Sequence, residues 1–231
     1  PGNYQPKNLD LVQFKQNQAV WQQTLAGISQ PTLYWSNHDM ARLRTRVAKT
    51  DTQNRSLAML MYLHRGIPII YYGEELGLKN LKFNNIEQFE DQTVQDFVAQ
   101  AIQAGLSQEE ALEMASKTHK TPARGVMPWD DEENYGFSKA TPWIKGEKED
   151  GFTVANEIDN ATSMINFYRQ LIQLKKTDLF QKGSYYLLAT DKNSYNYQRD
   201  YHQQSALVAV SLSNSEIQVQ IPQDYKNEEL L

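Results

Sequence analysis

Two short runs of β-forming residues, 31–36 (PTLYWS) and 67–72 (IPIIYY), flank a stretch of helical period, with only short links between them. A strand, a helix and a strand joined this tightly make a βαβ unit. Its strands must lie parallel, because a crossover rather than a hairpin connects them. The first run ends on Asn37, His38 and Asp39, with Arg42, Arg44 and Arg46 just behind. The second ends on Tyr71, Tyr72, Glu74 and Glu75. In parallel α/β barrels the functional groups collect at the C-terminal ends of the strands, so both ends are candidate sites.

The rest of the chain surrounds that unit with helices and then changes character. Residues 8–26 read as a helix stopped by Gly27, with Leu11, Phe14, Gln18 and Trp21 on one face. The helix of the βαβ unit is expected to be capped by Asp51 or Thr52. It should run through Leu57, Leu60, Met61 and His64 to a stop at Gly66. The apolar run at 67–72 reads as a strand buried on both faces. Residues 94–118 read as two helices parted by Gly105, the second opened by a Ser107–Glu110 capping box. Residues 119–160, rich in Pro, Gly, Trp and acids, read as a long ordered loop. A helix follows at 161–176, with Met164, Phe167, Tyr168, Leu171 and Ile172 on one face and Lys175 and Lys176 at its negative end. From about residue 182 the period falls to two, giving four strands at 184–190, 194–199, 205–212 and 216–222. The expected order is an α/β part, residues 1–178, then an antiparallel β part, residues 179–231.

Composition narrows the partners. A net charge of -5 argues against nucleic acid. With no cysteine there is no disulfide, thiolate catalyst or zinc-thiolate site. No apolar run reaches the roughly 20 residues of a membrane span. The chain opens on Pro1 rather than Met, which reads as a fragment of a longer protein.

Each candidate has a plainer alternative. Asn37-His38-Asp39 alone is also an ordinary polar turn, and Glu74 and Glu75 could simply cap the next segment. A carboxylate beside an imidazole at a strand end can bind sugar hydroxyls and stabilise an oxocarbenium-like transition state. Trp129 and Trp143 could stack on sugar rings or pin the long loop. The acidic run 130–134 lacks the alternation and central glycine of a calcium loop and reads as a solvated turn. His64, His119 and His202 have no partner at metal-ligand spacing. No metal or cofactor is expected.

The motifs in order resemble the last conserved regions of the α-amylase superfamily of glycoside hydrolases, family 13. The carrying residues are Asn-His-Asp at 37–39, GIPIIYYGEELGL at 66–78, ARGVMPWDDEENYGFSKATPW at 123–143 and MINFYRQLIQLKK at 164–176. The last two are similar to the group of oligo-1,6-glucosidases, dextran glucosidases and trehalose-6-phosphate hydrolases. The resemblance implies the C-terminal part of a (β/α)8 barrel followed by part of an antiparallel β domain. It implies a catalytic role for Asp39, holding the 2- and 3-hydroxyls of a glucose. It implies substrate binding by His38 and Arg124, and by Arg42 with a less defined part. The chain departs from the group at Pro128 and Tyr72, where glutamine is common, and at Thr93, where an acid is common.

The same resemblance locates what is absent. The family's nucleophile is an aspartate two residues after an arginine, and its general acid is a strand-end glutamate, both upstream of Asn-His-Asp. Residues 1–38 hold no arginine and no glutamate, and Asp10 is their only aspartate. The expectation is therefore the C-terminal portion of a retaining α-glucosidase of short α-glucosides, inactive as this chain alone. Alternatives are a non-catalytic sugar-binding or assembly fragment, a trehalose-6-phosphate hydrolase, or a transglycosylase or isomerase of the same superfamily. A weaker alternative pairs Glu74 or Glu75 with Asp39 as a catalytic dyad. A cytoplasmic setting is expected, as is homo-oligomerisation through open edges of an incomplete barrel.

Overall fold

A computed structural model describes residues 4, 6–146, 152–188 and 191–212. The helices are α1 (Leu11–Thr24), α2 (Leu43–Arg46), α3 (Asp51–Tyr62), α4 (Gln92–Gln103), α5 (Gln108–Thr118), α6 (Val154–Glu157), α7 (Met164–Lys175) and α8 (Asp178–Lys182). The strands are β1 (Thr32–Leu33), β2 (Ile67–Pro68), β3 (Ser184–Leu187), β4 (Ser194–Tyr201) and β5 (Gln204–Ser211). The chain forms two compact units, each built from three separate stretches of sequence.

The first unit takes Pro1–Leu9, Tyr34–Arg55 and Ile69–Gln170. Its apolar centre is the α4–α5 pair, where Val94, Phe97, Val98, Ala111, Leu112 and Ala115 pack with Phe83, Phe89 and Ile144. Each large side chain buried there contributes about 1.5–3 kcal/mol of transfer free energy. The linking turn forms as the sequence requires. Gly105 takes φ +97, and the Ser107–Glu110 capping box is made in both directions. The described part of the segment after α5 is largely irregular, with 3₁₀ turns at Thr121–Arg124 and Glu133–Gly136.

The second unit takes Asp10–Leu33, Ser56–Pro68 and the residues from Leu171 onward. β1 and β2 pair in parallel, Thr32 with Ile67 and Leu33 with Pro68, as the βαβ reading requires. Gly66 makes the close approach possible. At φ +146, a Cβ there would sit 2.5 Å from the Pro31 carbonyl oxygen and 2.8 Å from Leu33 Cγ. β3, β4 and β5 form an antiparallel sheet in that order. The fourth expected strand, 216–222, lies outside the described residues.

Several local expectations are corrected. The 67–72 run is not a strand buried on both faces: the paired strand is two residues long, and Ile67 is 55% exposed and Ile69 50%. Among the described residues β1 and β2 pair with each other and with no third strand. The buried face of α1 is Leu11, Lys15, Ala19 and Gln22, and Trp21 faces solvent. Polar groups hold that face. Lys15 Nζ donates to the carbonyls of Asp191 and Ser194, and Gln22 exchanges two hydrogen bonds with the Arg65 backbone, at 2.9 and 3.0 Å. α3 is capped by Thr50, whose hydroxyl accepts from Gln53 N at 3.1 Å, rather than by Asp51 or Thr52. On α7, Lys175 takes a buried place and Ile172 is exposed.

A buried aromatic and cationic cluster centres the second unit. Tyr195 and Tyr197 are fully buried, with His64 stacked on Tyr197 and bonded through Nε2 to the Tyr195 hydroxyl at 2.9 Å. The Arg199 guanidinium donates to the carbonyls of Leu63, Phe180, Gly183 and Ser184. Lys175 Nζ donates to those of His64 and Phe180. These two cations spend their donors on backbone oxygens, which satisfies them without a carboxylate.

Candidate active site

Of the three arginines after the strand-end corner, Arg46 braces it. Arg46 donates to the Ala41 carbonyl through Nε at 2.9 Å and to the Trp35 carbonyl through a terminal nitrogen at 2.5 Å. It thus ties both sides of the Asn-His-Asp turn together. Ser36 Oγ accepts from Leu43 N at 2.9 Å, and Asn37 Oδ1 accepts from Asp39 N at 2.8 Å. The second contact is an Asx turn, which fixes where the Asp39 carboxylate points. Arg44 pairs with Asp51 at 2.7 Å.

Two other predicted residues converge at that carboxylate. His38 Nε2 lies 3.1 Å from Asp39 Oδ2. Arg124, 85 residues further along the chain, brings a terminal nitrogen to 3.2 Å from Asp39 Oδ1. Its Nε donates to the His38 carbonyl at 2.8 Å, so one guanidinium grips both residues of the corner. Lys120 Nζ is 3.5 Å from Asp39 Oδ1, a contact sequence reasoning missed. Its signal was its place: Lys120 caps the same 3₁₀ turn that ends at Arg124.

The site is open. The side chains of His38 and Asp39 are 74% and 59% exposed. One small cavity, about 60 Å³, is lined by Arg42, Leu78, Asn80, Pro122, Gly125 and Pro128 among others, but not by Asp39, His38 or Arg124. That volume holds a few waters and no hexose.

Arg42 has a different setting. It is 3% exposed, donates to the Tyr72 carbonyl at 2.6 Å, and stacks 5.0 and 4.8 Å from the ring centres of Tyr71 and Tyr72. Burial lowers its pKa, partly offset by the tyrosines and by Glu75 and Glu74.

The glutamates after the second strand take other partners. Glu74 is 3% exposed and accepts from the Tyr168 hydroxyl at 3.0 Å. Burial raises the pKa of Glu75, and both lie in a 3₁₀ turn. Trp129 and Trp143 are 50% and 65% exposed, and Trp143 Nε1 donates to Glu90 at 3.2 Å. Asp130 accepts from Glu132 N within the loop, and Asp131 accepts from Asn156 of α6. Among the described residues no three His, Cys, Asp or Glu side chains are placed to hold a metal ion. Nor is any helix among them long and apolar enough to cross a membrane.

Comparison with known proteins gives the site a context. The model of the α-amylase catalytic domain matches residues 1–183. The oligo-1,6-glucosidase of Bacillus cereus is 30% identical over the whole of this chain, which spans 43% of that protein. A solved structure described as a family GH13_31 enzyme superposes with a TM-score of 0.91 at 62% identity, over 96% of this chain and 41% of that one. The trehalose-6-phosphate hydrolase of Bacillus licheniformis superposes with a TM-score of 0.85 at 27% identity, over 96% and 42%. The chain thus spans less than half the length of these relatives. The likenesses carry the expected fold class, α/β: part of a (β/α)8 barrel followed by an antiparallel sheet.

Proposed function

The chain belongs to the α-amylase catalytic-domain family, and from that footing we propose that it supplies the sugar-clamping half of a retaining α-glucosidase for short α-glucosides, isomalto-oligosaccharides or dextran ends. The observation that supports this most is the convergence of Asp39, His38 and Arg124 from segments 85 residues apart. The Asp39 carboxylate is the catalytic group. Its two oxygens accept hydrogen bonds from neighbouring hydroxyls of one glucose, and those bonds tighten as the ring flattens toward an oxocarbenium ion. His38 and Arg124 bind the same sugar and hold the carboxylate in orientation. Arg42, buried against Tyr71 and Tyr72, serves the substrate site indirectly, through those two side chains. Residues 1–178 are the barrel part and residues 179–231 the β domain.

A retaining hydrolysis also needs a nucleophile and a general acid about 5–5.5 Å apart. Residues 1–38, with neither arginine nor glutamate, offer no Arg-x-Asp and no strand-end Glu. The 231-residue chain is therefore expected to release no p-nitrophenol from p-nitrophenyl α-glucoside. Its open site should bind isomaltose in the millimolar range or more weakly, because strong sites enclose most of a ligand's surface. An NMR titration with isomaltose should shift the signals of His38 and Asp39 saturably, and Asp39→Ala should abolish the shifts. Turnover that disappears in Asp39→Ala would refute the division of labour proposed here. A cytoplasmic setting is part of the proposal, supported by the absence of cysteine.

A further inference from the structure

Arg124 is held from behind as well as from in front. The Tyr72 hydroxyl donates to the Gly125 carbonyl at 2.6 Å, and the Tyr71 hydroxyl donates to the Ala123 carbonyl at 3.4 Å. Two consecutive tyrosines just beyond the second strand thus hold the carbonyls of the residues on either side of the arginine. They are in turn fixed by Arg42, which donates to the Tyr72 carbonyl and lies over both rings. Leu81 N adds a backbone bond to the Pro122 carbonyl at 3.0 Å. The turn that carries Arg124 is short, Thr121–Arg124, and ends at Gly125 in an extended conformation.

We infer that Tyr72, assisted by Tyr71 and locked by Arg42, is a positioning residue for Arg124, so that the strand-end tyrosine pair sets the distance between the Arg124 guanidinium and the Asp39 carboxylate. The assignment rests on the sugar site proposed above, and it adds a residue to which no sugar contact is ascribed. It also gives a physical consequence to the tyrosine that stands where the resembled group commonly has glutamine: the longer, rigid ring reaches the Gly125 carbonyl directly.

The test uses the full chain and two readouts. Tyr72→Phe removes one hydroxyl and keeps the ring that stacks on Arg42. The first readout needs no sugar: the ¹⁵N-labelled Arg124 Nε–H signal, identified by its loss in Arg124→Ala. Because that N–H donates to the His38 carbonyl, its resonance reports the position of the guanidinium. It should shift or broaden in Tyr72→Phe while the thermal midpoint stays close to that of the parent chain. The second readout is isomaltose affinity by titration. Tyr72→Phe should weaken it about three- to tenfold, the range of one net hydrogen bond. In an Arg124→Ala background the same change should have no further effect, a non-additivity that a merely structural role would not produce. An unmoved Arg124 signal overturns the assignment, as does equal weakening with and without Arg124. If no variant binds isomaltose, the glucoside proposal fails, and the resonance still decides the role of Tyr72. If Tyr72→Phe does not fold, Tyr71→Phe is read on the same resonance, and no change there overturns the assignment.

Discussion

At the level of single residues, the site separates recognition from stability. Asp39 faces three cationic or titratable partners, yet its side chain is 59% exposed, so solvent screens every one of those pairs. Asp39→Asn is expected to change the unfolding free energy by less than about 1 kcal/mol while removing isomaltose shifts. Urea denaturation beside the NMR titration checks both halves. The opposite holds for two buried groups of the second unit. Burial first, then the charges of Arg199 and Lys175, push the His64 pKa from 6.5 down to about 3. Between those values the unfolded chain takes up a proton that the folded chain refuses, so stability present above about pH 6.5 is lost as pH falls toward 3. Lys175 is lowered from 10.5 to about 7 by burial and then by Arg199 and Arg65. Its unfolded form holds the extra proton across that window, so stability rises from pH 7 toward 10.5. The phenol of Tyr185, raised by burial to about 12, works the other way above pH 10. The urea midpoint should therefore climb from acid pH to a maximum near pH 10. Lys175→Met should flatten the limb above pH 7.

At the level of elements, single positions decide whether a segment forms. Gly66→Ala would place a methyl 2.5 Å from the Pro31 oxygen at a φ of +146. The parallel pair β1–β2 must then separate, at an expected cost of about 2 kcal/mol or more. Ser107→Ala removes half of the α5 capping box and should cost about 1 kcal/mol. Chemical denaturation of each variant measures these. The elements legible in the sequence were those whose signals are local. Gly105 and Ser107–Glu110 marked the α4–α5 turn, and period-two alternation marked β4 and β5. The corner at Asn37–Asp39 was equally plain, because a polar cluster interrupts a β-forming run. What escaped was set by distant partners. The buried face of α1 carries Lys15 and Gln22, polar residues whose partners lie 176 to 179 and 43 residues away. No periodicity in the helix could announce them. Lys120 and the tyrosine clamp on Arg124 escaped for the same reason. The resemblance supplied Arg124 itself, and geometry supplied what holds it.

At the level of the whole molecule, apolar surface remains uncovered. Ile69 and Tyr34 of the first unit are 50% and 42% exposed, Ile67 of the second is 55% exposed, and among the described residues β1 and β2 form a two-stranded sheet. Open edges and apolar faces invite pairing with another chain. Size-exclusion chromatography at micromolar concentration should give an apparent mass above the 26.7 kDa of one chain. Ile67→Lys with Ile69→Lys should return it to that of a monomer. A compact monomer from the unaltered chain would remove the edge-pairing proposal.

The hold of Lys15 on Asp191 and Ser194 reaches beyond packing, to the order of events during synthesis. α1 is anchored by carbonyls 176 and 179 residues further along the chain, so it leaves the ribosome long before its anchor exists. Such late closure is slow, and it leaves an unsatisfied ammonium and an exposed amphipathic face in the interval. A nascent chain halted near residue 180 should therefore be cut by protease within residues 11–24, and the finished chain should resist at the same bonds.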